Sequence, residues 1–201
     1  MPRRIVAVMG SYRRHGFVDT AVDAILDGVR TGGADTEKIA LVDRHVEFCL
    51  NCRACTLQPG SARGTCVHHD DVPDILDEIE RSDALVLAAP TNFFNLNALT
   101  RRFMERLVCY SHWPWNEHSP RMRIREKTKN AVIVTSAAMP GILIPLSTGS
   151  MRALRIMAGT LGARVVGSLK LGLSNAEHAR LSSRTLRKAE ALGKMLALAP
   201  N

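Results

Sequence analysis

Aromatic side chains are scarce in this chain. Tryptophan and tyrosine occur only twice each among 201 residues, although arginine and lysine give a formal net charge of +8. Proteins that bind single-stranded nucleic acid interleave basic residues with aromatic residues on which the bases stack. The basic residues here are scattered along the chain, in pairs such as Arg3-Arg4 and Arg101-Arg102. The composition therefore makes nucleic acid an unfavoured partner.

Long apolar segments are also missing. No uncharged apolar run reaches the roughly 18–20 residues that span a membrane. The first residues, Pro2-Arg3-Arg4 before a short predicted strand, do not have the pattern of a signal peptide. We therefore expect a cytoplasmic protein without a membrane partner. Thiols stay reduced in that compartment, so clustered cysteines more often bind metal or carry out redox chemistry than form disulfides.

The apolar segments that are present alternate between strands and helices. Short apolar runs predict five strands, near residues 4–9, 36–42, 84–89, 130–135 and 164–171. Amphipathic helices follow them. Asp71 is predicted to cap the helix that has Pro73 in its first turn, and a capping box at 174–177 is predicted to open the last helix. This alternation predicts one α/β domain over residues 1–201, with a parallel sheet covered by helices on both faces.

Four of the five cysteines lie in one loop, residues 49–66, between a predicted strand and a helix. They form two successive Cys-x2-Cys spacings and one more distant thiol: Cys49, Cys52, Cys55 and Cys66. Such spacings let three thiolates converge on an iron–sulfur cluster or a zinc ion. The flexible segment 58–64 can return the fourth thiol at a small loop-closure cost. A [4Fe–4S] cluster, a free-thiol or structural loop, zinc with His68 or His69, and a redox disulfide all stay open.

A second candidate site follows the first predicted strand. Ligands of open parallel sheets bind beyond the carboxyl ends of the strands, and here Gly10 is followed by Ser11, Arg13 and Gly16 directly before a helix. Helix amides, a hydroxyl group and a guanidinium suit a phosphate group, and a phosphorylated cofactor accounts for part of the positive charge. The loop matches neither G-x-x-x-x-G-K-[ST] nor G-x-G-x-x-G. An ordinary turn with surface arginines is the alternative.

Two further strand ends carry residues suited to a flat ligand. The third predicted strand ends in Pro90, Thr91, Asn92, Phe93 and Phe94, whose aromatic, amide and hydroxyl groups suit the face and edge of a heterocycle. We expect one of the two phenylalanines to pack under the next helix. The fourth strand ends in the small residues Ser136 and Ala137, which let the backbone approach a ligand closely.

Taken together, these motifs resemble the NADPH-dependent FMN reductase family of flavodoxin-like proteins, and particularly its iron–sulfur flavoprotein branch. The resemblance covers residues 4–136 and rests on the first loop, the cysteine loop, the Pro90–Phe93 segment and the helix near 98–107. It implies a flavodoxin-like, doubly wound, five-stranded parallel sheet with strand order 2-1-3-4-5 and helices on both faces.

The resemblance also implies FMN as cofactor. Its phosphate would lie near Ser11, Arg13, Gly16, Phe17 and Val18, and its ring against residues 90–94 and 136–139. Family members often have Asn-Thr where Phe17-Val18 stand, so one phosphate contact is lost here.

The implied function is an oxidoreductase that takes a hydride from NAD(P)H. The electrons pass to a quinone, flavin, azo or nitro compound, or to an iron–sulfur centre. The flavin carries the hydride chemistry, so no catalytic side chain is nominated. An electron-transfer protein without its own small substrate and a cofactor-free nucleic-acid-binding module are the alternatives. The family commonly pairs around its flavin sites, which implies a homodimer or homotetramer, and Trp113 and Trp115 either cover the ligand or lie at a subunit contact.

Overall fold

The computed structural model describes residues 2–174 and 180–199. Its strands are β1 (Arg4–Met9), β2 (Asp35–Ala40), β3 (Ala84–Asn92), β4 (Asn95–Leu96), β5 (Ser111–His112), β6 (Arg121–Met122), β7 (Lys129–Ser136) and β8 (Ala163–Leu171). Its α-helices are α1 (Phe17–Thr31), α2 (Ala54–Leu57), α3 (Val72–Arg81), α4 (Ala98–Arg106), α5 (Ile144–Ser147), α6 (Ser150–Thr160) and α7 (Ser183–Leu198). Within the described ranges, none of these helices combines the length and apolar character that crossing a membrane requires.

The long strands form a parallel sheet in the order β2-β1-β3-β7-β8. Since these are the first to fifth long strands of the chain, the predicted order 2-1-3-4-5 is confirmed. The chain places β2 on one side of β1 and β3 on the other, so the order in which strands are added to the parallel sheet reverses between β1 and β3. The carboxyl ends of β1, β3 and β7 lie side by side at this reversal, where open α/β sheets bind their ligands.

Apolar layers cover both faces of the sheet. On one face, Ile5, Ala7 and Met9 of β1 pack with apolar residues of α1 and α7. On the other, Val6 and Val8 pack with residues of α3, α4 and α6. Successive side chains of a strand point to opposite faces, so a strand that is covered on both sides is apolar at every position. This is why the buried strands were visible in the sequence as continuous apolar runs.

Helices α1 and α7 approach each other closely at two glycines. A Cβ atom at Gly193 would lie 1.9 Å from the carbonyl oxygen of Ile25, and one at Gly28 would lie 2.1 Å from that of Glu190. Backbone atoms cannot rotate out of the way as the end of a side chain can. The two helices can therefore cross this closely only because glycine has no Cβ atom at these positions.

Gly193→Ala is therefore expected to lower the free energy of unfolding by about 1–3 kcal/mol through overpacking. The loss would occur although alanine favours a helix by about 1 kcal/mol over glycine. Gly159→Ala in α6 is the matched control, because its new methyl group would lie 3.8 Å from Lys127 Nζ, an ordinary contact. Urea denaturation measures both variants, and equal stability would show that the crossing accommodates a methyl group.

The structure adds detail at two predicted helix starts. The last helix begins at Ser183, where Ser182 Oγ accepts a hydrogen bond from the Thr185 amide; most of the predicted capping box, residues 175–177, lies outside the described residues. Asp71 precedes α3 but its side chain makes no capping bond. Its backbone is already helical, with φ −77° and ψ −3°, whereas a capping residue needs an extended backbone.

The segment after α4 is short and irregular. The helix expected near 98–107 ends at Arg106 and continues as a 3-10 turn, Leu107–Tyr110. The short strands β5 and β6 follow and form an antiparallel hairpin.

Candidate cofactor site and cysteine cavity

A cavity of about 320 Å³ lies at the carboxyl ends of β1, β3 and β7; we call it the strand-end cavity. Its lining comes from the loops after these strands: Ser11, Tyr12, Arg13, Gly16, Phe17, Val18, Pro90, Thr91, Asn92, Ser136, Ala137, Ala138 and Ser174. All the residues predicted to bind the cofactor are in this lining except Phe93 and Phe94. The lining also contains three residues that were not predicted as ligands. Tyr12 and Ala138 lie inside the predicted ligand-binding loops after β1 and β7. Ser174 follows β8, where no ligand-binding motif was recognised in the sequence.

The first loop of the cavity is anchored on the start of α4. The carbonyl oxygen of Gly10 accepts a hydrogen bond from Asn97 Nδ2 at 2.6 Å, and Tyr12 Oη accepts one from the Leu99 amide at 3.0 Å. Asn97 also caps α4 by accepting a hydrogen bond from the Thr100 amide. A Cβ atom at Gly10 would lie 1.8 Å from Thr100 Oγ1, so only glycine permits this contact.

The same loop leads into a helix N-terminus that carries no side-chain cap. Gly16 occupies the N-cap position of α1, so no side chain satisfies the first amides of that helix. Ser11 Oγ accepts a hydrogen bond from the Arg13 amide at 3.1 Å, which holds the hydroxyl group beside the helix start. The carboxylate of Asp19 in the first turn is paired with Lys38. Uncapped amides beside a hydroxyl group and an arginine suit a phosphate group.

The turn after β3 has an unusual backbone. Asn92 pairs with Asn95, so Phe93 and Phe94 form a two-residue hairpin turn, with φ of 45° and 60°. Both residues are in the left-handed region, where Asn-Gly is the usual pair, at a cost of about 1–3 kcal/mol each. Phe93 is 101% exposed and Phe94 65% exposed. The expectation that one ring packs under the next helix is therefore wrong, and both rings lie outside the cavity lining, directly after Asn92.

Buried hydroxyl groups hold the Thr91 side of the strand-end cavity in place. Thr91 Oγ1 lies 2.8 Å from Ser150 Oγ and 3.2 Å from Thr135 Oγ1. Thr135 and Ser150 are both completely buried. These hydrogen bonds join the ends of β3 and β7 to the start of α6, so the Pro90–Asn92 segment is held on packed elements.

The four loop cysteines line a second, enclosed cavity, which we call the cysteine cavity. Its polar lining consists of Cys49, Asn51, Cys52, Arg53, Cys55, Thr56, Cys66, His68 and Arg106. All four thiols are free; burial raises the pKa of Cys55, and the neighbouring thiols add to this effect. Among the described residues, no group of three or more cysteine, histidine, aspartate or glutamate side chains has the geometry to hold a metal ion. The thiols thus share one cavity without converging on one point, and their role as ligands stays a prediction.

Gly64 and Gln58 hold the segment that brings Cys66 close to the other three loop cysteines. A Cβ atom at Gly64 would lie 1.9 Å from the carbonyl oxygen of Cys55, and the Gly64 amide donates to the Cys109 carbonyl at 2.8 Å. The side-chain amide of Gln58 closes the spacer through two hydrogen bonds, 2.8 and 3.0 Å long, with the backbone of Thr65. The segment predicted as a flexible spacer is thus a closed turn.

Arg53 forms one wall of the cysteine cavity. Its guanidinium lies 4.4 Å from the ring centroid of Trp113 and 4.1 Å from that of Trp115, and it donates to the Trp113 carbonyl at 2.5 Å. Neither tryptophan lines the strand-end cavity. Within the described residues, Arg53 Nε and His68 Nε2 are buried without a hydrogen-bond partner. Buried polar atoms are normally paired, so this lining suits a bound group that can hydrogen-bond.

A buried ion pair fastens α4 to the cysteine loop. The side chains of Arg106 and Asp70 are 1% and 0% exposed. Arg106 Nη1 donates to the Glu47 carbonyl at 2.9 Å, and Asp70 Oδ2 accepts from the Glu47 amide at 2.8 Å. Burial alone would raise the pKa of Asp70, but the hydrogen bonds from Arg106 and the Glu47 amide outweigh it, so the pKa lies below its usual 3.8.

This pair predicts a specific loss of stability in acid. Because the folded pKa of Asp70 lies below the unfolded value, its stabilisation is complete above the unfolded pKa and is lost as pH falls through the folded one, between about pH 5 and pH 1. Asp70→Asn is expected to lower the free energy of unfolding by about 3–5 kcal/mol at pH 7, since it leaves Arg106 buried without its anion. It is also expected to make the free energy of unfolding less dependent on pH in this acid range. The exposed Asp74→Asn is the control. Denaturation at stepped pH measures both, and an unchanged acid slope in Asp70→Asn would contradict the prediction.

The family comparison agrees with the layout of the strand-end cavity. The family model for NADPH-dependent FMN reductases matches residues 3–178. The chain belongs to this family. Membership supports FMN as the cofactor and a nicotinamide as the reductant.

Relatives in sequence and structure add further detail. The chain is 31% identical to an iron–sulfur flavoprotein of Archaeoglobus fulgidus over 111 residues, which cover 55% of this chain and 48% of that protein. It is 28% identical to one of Methanocaldococcus jannaschii over 103 residues, 51% of each. The chain thus spans about half the length of the curated relatives it matches. The NAD(P)H:quinone oxidoreductase of Methanothermobacter marburgensis has a TM-score of 0.72 and 20% identity, covering 96% of this chain and 98% of that one. At that identity the likeness shows the fold alone.

Proposed function

We propose that FMN binds in the strand-end cavity and that the protein is an NAD(P)H-dependent oxidoreductase with a small electron acceptor. The observation that carries the proposal is that one cavity combines the uncapped start of α1 with the ends of β3 and β7. The phosphate would lie at Ser11, Arg13 and Gly16. The flavin ring would lie against Pro90–Asn92 and Ser136–Ala137.

The residues around the strand-end cavity contribute binding and orientation to this function. FMN, when bound, supplies the chemistry that accepts a hydride from NAD(P)H and releases electrons to a quinone, flavin, azo or nitro compound. The buried hydroxyl groups of Thr135 and Ser150 hold the end of β3 in place. Phe93 and Phe94 are exposed directly after Asn92 and do not line the cavity, so their rings leave its interior free for the cofactor.

We further propose that the cysteine cavity holds an iron–sulfur centre of the [4Fe–4S] type. Four thiolates are the ligand set of such clusters, and Cys49, Cys52, Cys55 and Cys66 line one cavity. The name of the relatives, iron–sulfur flavoprotein, supports this choice over zinc, a disulfide or free thiols. This centre favours a second candidate function, a flavodoxin-like electron carrier without a small substrate of its own.

One sample tests these proposals together. Protein purified without oxygen is examined by absorption spectroscopy, by iron and acid-labile sulfide analysis, and by NADPH oxidation with a quinone. We expect flavin bands, iron and sulfide in equal amounts, and steady turnover of NADPH. Flavin and iron without NADPH turnover would favour the electron carrier. A colourless protein that also fails to bind added FMN would contradict the central proposal, and salt-dependent retention on DNA would then favour a nucleic-acid-binding module.

We also propose that the protein forms a homodimer or homotetramer through the mouth of the strand-end cavity. Phe93, Ile142, Leu146 and Leu173 are between 61% and 101% exposed. They lie on neighbouring segments, since the Gly149 amide after α5 donates to the Phe94 carbonyl at 2.7 Å. An exposed apolar patch of this kind is typical of an interaction surface.

Light scattering tests the oligomer. We expect a mass of at least twice 22.1 kDa and a lower mass for Leu146→Lys, because a buried ammonium group would oppose the contact. Leu198→Lys is the control, since Leu198 is 74% exposed at the far end of α7. A monomeric native protein would exclude the proposed interface.

A further inference from the structure

Arg106 is a buried cation in the wall of the cysteine cavity. It is 3% exposed and lines the cavity together with the four loop cysteines. A guanidinium removed from water is costly unless it is paired and hydrogen-bonded. On one side it is paired with Asp70, whose Oδ1 accepts from Nη2 at 3.2 Å. Cys66 lines the same cavity as Arg106. Burial would lower the pKa of Arg106, but the pair with Asp70 and the nearby Cys66 sulfur raise it.

Arg106 therefore links a carboxylate to the cysteine cavity. Its guanidinium is paired with Asp70, and it lines the cavity together with Cys66. Hydrogen bonds to the sulfurs and the charges around a cluster are the main means by which a protein sets the cluster's reduction potential. The Arg106 guanidinium can provide both a hydrogen-bond donor and a positive charge.

We propose that Arg106 is a positioning residue that raises the reduction potential of the centre by donating to Cys66, and that Asp70 limits this effect. The inference rests on the proposed iron–sulfur centre. The step concerned is a one-electron reduction, with the electron supplied by the reduced flavin or a chemical reductant. Arg106 keeps its proton, and no bond forms or breaks. The added electron makes the centre more negative, so a fixed cation beside a ligand sulfur favours the reduced form.

The test is a potentiometric titration of reconstituted protein, followed by absorbance. In Arg106→Gln the ratio of reduced to oxidised centre at a given potential is expected to fall about tenfold, the size of a charged hydrogen bond, which equals about 59 mV for one electron. In Asp70→Asn the ratio is expected to rise, because the guanidinium is no longer neutralised. Arg102→Gln, which removes a cation one turn earlier on α4 beside Phe48, is expected to leave the potential unchanged.

The opposite signs separate electrostatic positioning from a structural role. A merely structural pair would move both potentials in the same direction or lower the iron content alone, and either result overturns the inference. A native potential in Arg106→Gln also overturns it. Where Arg106→Gln or Asp70→Asn does not fold, Arg106→Lys decides, because it keeps a cation beside Asp70 but loses the planar donor group. Its potential is expected to lie below the native value, and a native or higher potential overturns the inference. Native protein that takes up no iron removes the centre and this inference together, whereas iron with unshifted variants overturns only the role of Arg106.

Discussion

Replacing Cys52 with alanine is expected to abolish bound iron while flavin stays in place. Four thiolates hold a cluster of this type, and loss of one leaves an iron atom without its ligand. Cys52 is exposed, so removal of its sulfur disturbs little packing. The cysteine cavity and the strand-end cavity share no lining residue, so the flavin site should be unaffected. Iron, acid-labile sulfide and flavin are measured on one sample.

The fifth cysteine provides the matched control. Cys109 is 4% exposed, belongs to the apolar core and does not line the cysteine cavity. Burial raises the pKa of its thiol to about 12, so it stays protonated. Cys109→Ala is expected to retain the iron of the native protein. Native iron content in Cys52→Ala would exclude that residue from the centre.

Arg13→Ala is expected to weaken FMN binding about 10- to 150-fold. A hydrogen bond to a charged group contributes about 1.5–3 kcal/mol, and each 1.4 kcal/mol changes the dissociation constant tenfold. Arg13 lines the strand-end cavity beside the uncapped start of α1, which is where we place the phosphate.

The neighbouring arginine separates a specific contact from general attraction. Arg14 is paired with Asp43 and does not line the cavity, so Arg14→Ala is expected to leave the dissociation constant nearly unchanged. Quenching of FMN fluorescence measures both constants. An unchanged constant in Arg13→Ala would remove that residue from the site. Equal losses in both variants, abolished by salt, would point to the overall positive charge instead.

Much of the fold and of the strand-end cavity was predictable from the sequence. Strands covered on both faces leave continuous apolar runs, such as Ala84–Ala89, that need no tertiary information to be recognised. Parallel strands end at one edge of the sheet, so motifs after β1, β3 and β7 had to meet once those strands were neighbours. Ser11, Arg13, Thr91 and Ser136 therefore line one cavity as expected.

The hairpin turn shows why a local pattern was not sufficient. Phe93 and Phe94 are apolar, and their composition favoured burial, yet the pairing of Asn92 with Asn95 leaves both in an exposed left-handed turn. The register between β3 and β4 places the two phenylalanines in the turn. This register cannot be recognised from the two phenylalanines themselves.

The apolar strands, the apolar helix faces and the residue types at each strand end can be recognised from the amino-acid sequence. The closure of the cysteine loop and the charge that faces it depend on contacts between distant segments. Cys66 returns because Gly64 packs directly on the Cys55 carbonyl, and Arg106 pairs with Asp70 across 36 positions of sequence. Local patterns report the few residues around each position, whereas these contacts depend on which distant segments the packed core brings together.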